Sequence, residues 1–114
     1  MTTQLPVVCI PRLDLPAPDV ADAVAAAALL ADPSRATILA MLADGPVCVC
    51  EMAAALGARE NNVSNHLAKL RRAGLIRASR HEANGRFLYY ERDEGSIAAA
   101  RKAIGDLLGA ADDR

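Results

Sequence analysis

The stretch from Glu60 to Gly74 constrains the fold of this 114-residue chain more than any other part of its sequence. Val63, Leu67 and Leu70 follow one another at spacings of four and three residues, the pattern of one apolar helix face. Gly74 can adopt the left-handed conformation that ends a helix. The pattern predicts an amphipathic helix over residues 60–73.

A hairpin is predicted directly after that helix. Two short segments, 75–80 and 86–91, flank Asn84-Gly85, the dipeptide best suited to a tight hairpin turn. A shorter helix around Met52 comes before, and it ends at Gly57. Two helices joined by a tight turn and followed by a basic hairpin are typical of a winged helix-turn-helix.

Outside this motif, helices are predicted over residues 19–31, from Pro33 to near Gly45, and over residues 93–111. The chain has 53% hydrophobic residues, enough for one core and too few residues for two. We expect a mostly helical α+β fold with about five helices and a two-stranded β-wing. Four prolines favour an extended arm at residues 1–18, followed by the domain at 19–111 and a tail at 112–114.

Basic residues concentrate between Arg59 and Arg92, where eight Lys or Arg stand against three acidic residues. The rest of the chain holds five basic and eleven acidic residues. This asymmetry indicates a local contact with a polyanion, although a solvated face gives the same pattern.

The polar side chains of the helix over residues 60–73 should face away from the core. Asparagine can pair with an adenine edge, serine with bases or phosphates, and lysine or arginine with phosphates. Hairpin residues can reach the backbone or the minor groove, although each side chain alone fits an ordinary surface residue. The predicted contacts with double-stranded DNA are Asn61, Asn62, Ser64, Asn65, Lys69, Arg71 and Arg72 on the helix, and Arg80, His81, Asn84 and Arg86 at the hairpin.

Three cysteines, Cys9, Cys48 and Cys50, are an odd number without the spacing of a secreted disulfide scaffold. Free thiols in a reducing compartment are therefore expected. The first eight residues carry no Lys or Arg ahead of their apolar stretch, unlike a secretory leader, and the alanine-rich run at 21–31 is too short to span a bilayer. We expect a cytoplasmic protein without a membrane partner.

Four stretches carry a resemblance to a known family: ADPSRATILAML, CVCEMAAALG, NNVSNHLAKLRRAGLI and NGRFLYYE. From about Leu29 to Tyr90 the chain resembles the ArsR/SmtB family of metal-sensing repressors. One departure is Arg59, where family members usually have a Ser or Thr that caps the reading helix. The sequence therefore predicts a different helix start, or capping by Asn61.

The resemblance assigns a role to Cys48 and Cys50, because CVC stands at the same place in the arsenic-sensing and the cadmium/lead-sensing branches. Thiolates select soft ions such as Cd(II), Pb(II) and As(III) over Mg(II) or Ca(II). The single-cluster arsenic pattern has a third cysteine a few residues later, where Ala53 and Ala54 stand here. We expect a three-sulfur site completed by Cys9, within or across subunits, and no organic cofactor. The alternative is that Cys48 and Cys50 are small buried core residues and that Cys9 is incidental.

Helix geometry sets a condition on this site. Residues at i and i+2 point about 200° apart on an ideal helix, so Cys48 and Cys50 could not then bind one ion. Chelation requires an irregular or distorted first turn, next to the reading helix. A second site on the last helix is not expected, because Asp93 and Asp106 have no histidine near them in residues 95–114.

The first and last helices each carry an apolar stripe that a three-helix motif with a wing cannot fully cover. Pairing them across a two-fold axis would make a homodimer with two reading helices, and packing within one chain is the alternative. The stripes are Val20, Val24, Ala27 and Ala28 in the first helix, and Ile97, Ala100, Ile104, Leu107 and Ala111 in the last.

The predicted function is a repressor that binds operator DNA when metal-free and dissociates when Cd(II) or Pb(II) binds. The same three-cysteine site for As(III) or Sb(III) is the alternative. A thiol redox-sensing repressor and a metal-trafficking or thiol protein stay open, although no nucleophile-base pairing indicates an enzyme.

Overall fold

A computed structural model describes residues 14–80 and 88–109 of the chain. Within these ranges the chain forms five α-helices and a small antiparallel sheet, which confirms the predicted fold class. In chain order the elements are α1 (Ala21–Leu30), α2 (Pro33–Met41), a 3-10 turn (Leu42–Asp44), β1 (Val47–Cys48), α3 (Val49–Leu56), α4 (Glu60–Arg72), β2 (Ile76–Arg80), β3 (Leu88–Arg92) and α5 (Glu94–Leu108).

The core lies where α2, α3 and α4 pack together over the sheet. Val63, Leu67 and Leu70, the predicted apolar face of α4, are at most 1% exposed. They pack with Ile38 of α2 and Met52 of α3, which are fully buried. Burial of this one face fixes which side of α4 remains available to solvent.

Two predicted helix boundaries are confirmed by their hydrogen bonds and dihedral angles. Asp32 caps α2, because its Oδ1 accepts from the backbone N–H groups of Ser34 at 2.8 Å and Arg35 at 3.2 Å. The N–H of Arg35, with that of Ser34, lowers the pKa of the Asp32 carboxyl. The ionised Asp32 carboxylate therefore stabilises the folded protein at pH values above its ordinary pKa, and this stabilisation is lost as pH falls through the lowered pKa. Gly57 ends α3 in the left-handed conformation, at φ 62°.

The sheet has three strands in the order β1-β3-β2, so the predicted wing gains a short third strand. Strands β2 and β3 pair antiparallel along their whole length, from Ile76 opposite Arg92 to Arg80 opposite Leu88. On the other edge of β3, β1 places Cys48 opposite Tyr89. The segment before α3 is thereby joined to the wing.

Helices α1 and α5 pack against each other at one side of the molecule. In α1 the buried residues are Ala23 and Ala26, whereas Val24 on the predicted stripe is 55% exposed. No residue of α5 within the described range is buried, and Leu107 is 49% exposed. Intramolecular packing therefore leaves much of both stripes uncovered.

Several predictions fall outside the described residues. These include the Asn84-Gly85 turn, most of the arm and the tail at 112–114, so the division into arm, domain and tail stays a prediction. No single helix in the described ranges is long and apolar enough to cross a membrane. Only α1 together with α2 and its 3-10 turn passes that test, as a pair bent by 89°.

We expect Leu67→Ala to lower the free energy of unfolding by about 2–5 kcal/mol, because it leaves a cavity at a site that is 1% exposed. Urea unfolding followed by circular dichroism measures this change. Ser64→Ala on the exposed face of the same helix is the matched control and should change the value by less than about 0.5 kcal/mol. Equal effects of the two substitutions would contradict the placement of the core.

Candidate functional site

Cys48 and Cys50 lie side by side at the junction of β1 and α3. Cys48 is the last residue of β1 and has extended backbone, at φ −91° and ψ 161°, whereas Cys50 lies in the first turn of α3. Their Sγ atoms are 2.8 Å apart. The two side chains therefore need not point about 200° apart, as they would on one ideal helix, because Cys48 precedes the helix. The irregular first turn that chelation requires is present.

The two thiols differ in their surroundings. Cys48 is 5% exposed, whereas Cys50 is exposed. Burial raises the pKa of the Cys48 thiol, and the hydrogen bond with Cys50 raises it further. A soft ion binds the thiolate, so its capture must release the Cys48 proton and is favoured as pH rises.

Glu51 fixes the backbone at this junction. The N–H of Cys48 donates to Glu51 Oε1 at 2.9 Å, which places Glu51 at the third helical position of a capping box. This backbone N–H lowers the pKa of the Glu51 carboxyl. Sequence reasoning missed Glu51, although the spacing Cys-x-x-Glu before an apolar helix resembles the Ser/Thr-x-x-Glu signature of such caps.

The sulfur pair suits a soft ion as two of its ligands. Sulfurs at about 2.3 Å from a tetrahedral ion lie roughly 3.8 Å from each other, so the pair must separate by only about 1 Å. Residues 14–80 and 88–109 contain no group of three His, Cys, Asp or Glu side chains arranged to hold a metal. Cys9 lies outside the described residues, and its part as third ligand stays a prediction.

The acidic candidates on the last helix have other partners. Asp93 caps α5 by accepting from the N–H of Ser96 at 3.0 Å, and this N–H lowers the pKa of its carboxyl. Asp106 pairs with Lys102 at 2.8 Å. Thirteen residues of helical rise, about 20 Å, separate the two carboxylates, so they cannot share an ion.

A polar and basic surface covers the side of α4 opposite the core. All seven side chains predicted on this helix to contact DNA are exposed, and its last turn carries three basic residues. The hairpin candidates His81, Asn84 and Arg86 lie outside the described residues, as does the side chain of Arg80. The exposed set on α4 is Asn61, Asn62, Ser64, Asn65, Lys69, Arg71 and Arg72.

The start of α4 differs from one of the two expectations. Arg59 is the N-cap residue and makes no side-chain capping hydrogen bond. Asn61 lies inside the helix, so the prediction that it serves as the cap is wrong. The first turn instead closes through the Arg59 carbonyl, which accepts from the N–H groups of Asn62 and Val63 at 3.1 Å each.

Two further residues, His66 and Arg77, lie near the proposed DNA surface and are partly enclosed or paired within the protein. His66 is half-buried on α4, and its Nδ1 is buried without a hydrogen-bond partner within the described part of the chain. Arg77, one of the basic residues of the wing, pairs across the strands with Glu91 at 2.9 Å and reaches Asp93 at 3.5 Å. Its charge is therefore partly neutralised within the protein.

We expect iodoacetamide to alkylate Cys50 faster than Cys48, because Cys50 is exposed whereas Cys48 is buried with a raised pKa. Peptide mass spectrometry after timed labelling at pH 7 and pH 9 measures both rates. Because the pKa of Cys48 is raised, its labelling should accelerate more between pH 7 and pH 9 than the labelling of a thiol with the ordinary pKa. Faster labelling of Cys48 at pH 7 would contradict the geometry.

The chain matches known proteins over its central region. The model of the family described as "Bacterial regulatory protein, arsR family" matches residues 32–78. The regulator CmtR of Mycobacterium tuberculosis is 40% identical over 79 residues, which cover 69% of this chain and 62% of CmtR. The arsenical resistance operon repressor of Escherichia coli is 34% identical over 77 residues, covering 67% of this chain and 63% of that protein. The chain thus spans about three fifths of the length of these curated relatives.

A solved structure agrees with the sequence matches. The transcriptional regulator HlyU from Vibrio vulnificus aligns with a TM-score of 0.59 and 31% identity, covering 72% of this chain and 83% of that one. The region that the family model matches contains the helices α2 to α4 and the first three residues of β2. The described residues have the winged-helix fold, and the chain therefore belongs to the ArsR family of bacterial regulatory proteins.

Proposed function

We propose that this protein is a cytoplasmic, metal-responsive transcriptional repressor that binds operator DNA when metal-free and releases it when Cys48 and Cys50 capture a thiophilic ion. The observation that carries this proposal is the 2.8 Å separation of the two sulfurs at the start of α3. Two thiolates this close can share one soft ion after separating by about 1 Å, whereas oxygen-seeking ions such as Mg(II) lack a suitable ligand set here.

The favoured inducers are Cd(II) and Pb(II), with Cys9 as the third sulfur ligand. The reading-helix sequence NVSNHL and the distant arm cysteine resemble the cadmium/lead branch of the family. An As(III)- or Sb(III)-responsive repressor with the same three cysteines is the second candidate. The relative from Escherichia coli, named as an arsenical resistance repressor, supports that candidate.

The connection from the thiols to the DNA runs through α3. Met52 and Ala53 of α3 belong to the same buried core as Val63 of α4 and lie within one helical turn of Cys50. Because the two sulfurs must move apart by about 1 Å to hold one ion, ion capture changes the first turn of α3 and shifts this packing. A coupling free energy of about 1–3 kcal/mol between the two sites would weaken DNA binding by about 5- to 150-fold.

The proposed DNA-binding unit is a homodimer formed through α1 and α5. Val20 and Val24 are 41% and 55% exposed, and Leu107 and Leu108 are 49% and 75% exposed. Large apolar side chains at this exposure, on two neighbouring helices, favour burial against a second copy. A two-fold axis there would present two α4 helices to successive major grooves of a palindromic operator.

We expect Val24→Glu to shift the protein from dimer to monomer, because the substitution places a charge within the proposed interface. Sedimentation velocity at micromolar concentration measures the change. Ala55→Glu on the exposed side of α3 is the control and should leave the dimer intact. A wild-type protein that sediments as a monomer and binds DNA as a monomer would contradict the proposed dimer.

We expect the metal-free protein to bind a fluorescent duplex carrying its own promoter and to lose at least about fivefold in affinity with one equivalent of the inducing ion. Fluorescence anisotropy measures the affinity during titration with Cd(II), Pb(II) and As(III) in turn. Cys48→Ser and Cys9→Ser should each abolish the release while leaving metal-free DNA binding unchanged. Lys69→Ala should instead weaken DNA binding at every ion concentration and lower its salt dependence.

DNA binding that persists under every ion would contradict the proposed metal response. Loss of the response in Cys48→Ser but not in Cys9→Ser would support Cys48 and Cys50 as ligands and exclude Cys9 from the ligand set. Absence of DNA binding by the metal-free protein would favour the metal-trafficking candidate.

A redox-sensing repressor is the other candidate that the sulfur geometry favours. Hydrogen peroxide can oxidise the exposed Cys50 thiol to a sulfenic acid and is itself reduced to water. Attack by the Cys48 sulfur then forms a disulfide and releases a second water molecule. Titration with peroxide in the absence of metal separates the two mechanisms, because DNA release under these conditions would favour oxidation as the signal.

A further inference from the structure

The backbone of Cys48 is held from two sides. On one side β1 pairs with β3, which places Cys48 opposite Tyr89 of the wing. On the other side its N–H donates to Glu51 Oε1 at 2.9 Å. Because Cys48 is extended while Val49 and Cys50 are helical, the direction of its side chain depends on both restraints.

We propose that Glu51 is the positioning residue of the thiol pair: its hydrogen bond to the Cys48 backbone keeps the two sulfurs adjacent. The role in ion capture rests on the proposed function, whereas the effect on thiol geometry does not. Glu51 acts on the thiol geometry through an acceptor oxygen and not as a ligand.

Two observations favour positioning over ligation. The Glu51 Oε1 atom already accepts a hydrogen bond from the backbone of Cys48, a proposed ligand residue, at the usual N–H···O distance. In addition, Glu51 forms no three-ligand group with Cys48 and Cys50 within the part of the chain that the structure describes. A preorganised pair loses less conformational freedom on binding an ion, so holding Cys48 in place raises affinity.

Substitutions at position 51 separate a hydrogen-bond acceptor from a charge. Glu51→Gln keeps an acceptor oxygen at the same reach and removes the charge, whereas Glu51→Ala removes both. Glu51 is exposed, so neither change disturbs the core. Glu94→Gln, in the first turn of α5, is the control for loss of one exposed negative charge.

The first readout needs no metal: iodoacetamide labelling of Cys48, measured by peptide mass spectrometry. We expect Glu51→Ala to accelerate it about tenfold, the shift expected from losing about one hydrogen bond. Glu51→Gln, which keeps the acceptor and removes only the charge, should accelerate labelling less than Glu51→Ala does, and Glu94→Gln should stay within about twofold of the wild type. Unchanged labelling in Glu51→Ala would overturn the proposal.

The second readout is Cd(II) affinity, measured by competition with a chelator. We expect Glu51→Ala to weaken it about tenfold and Glu51→Gln to restore most of that loss. Equal weakening by both variants would show that the carboxylate acts as a ligand or a charge and would overturn the proposal. A wild-type protein that binds no soft ion would refute the proposed function instead, and the labelling would still decide the positioning role.

Discussion

The backbone of this chain changes from extended to helical between Cys48 and Val49, and the proposed sensor depends on this change. A strand residue and a helix residue two positions apart can direct their side chains to one side. Two residues at the same spacing within one helix cannot. The sulfurs of Cys48 and Cys50 are consequently 2.8 Å apart. The same junction connects two elements of the DNA-binding motif, because β1 pairs with the wing strand β3 and α3 packs on α4.

Helix α4 has a separate task on each of its faces. Its buried face, with Leu67 and Leu70, holds the motif together, and its exposed face carries the asparagines and basic residues that suit a major groove. Since the same helix is packed against α3, the proposed change in the first turn of α3 would reach the proposed DNA surface through direct contacts. The geometry needs no long-range pathway between the thiols and the DNA.

Much of the fold could be predicted because its signals are local. The spacing of Val63, Leu67 and Leu70 defines the buried face of α4, and Asp32 and Gly57 mark helix ends by their own chemistry. Strand β1 could not be predicted in this way, since it has two residues and its partner β3 begins forty residues later. The adjacency of the two sulfurs depends on β1, so sequence reasoning could state only the condition for it. The arm cysteine Cys9 has no local signal that fixes its position.

X-ray absorption spectroscopy of the Cd(II)-bound protein tests most directly whether Cys48 and Cys50 bind one ion together as thiolates. With one equivalent of Cd(II), we predict a first shell dominated by sulfur, with three sulfur ligands in the wild type and two in Cys9→Ser. The double variant Cys48→Ser, Cys50→Ser should keep at most one sulfur ligand under the same conditions. A first shell of oxygen and nitrogen in the wild type, or one unchanged in the double variant, would contradict the account.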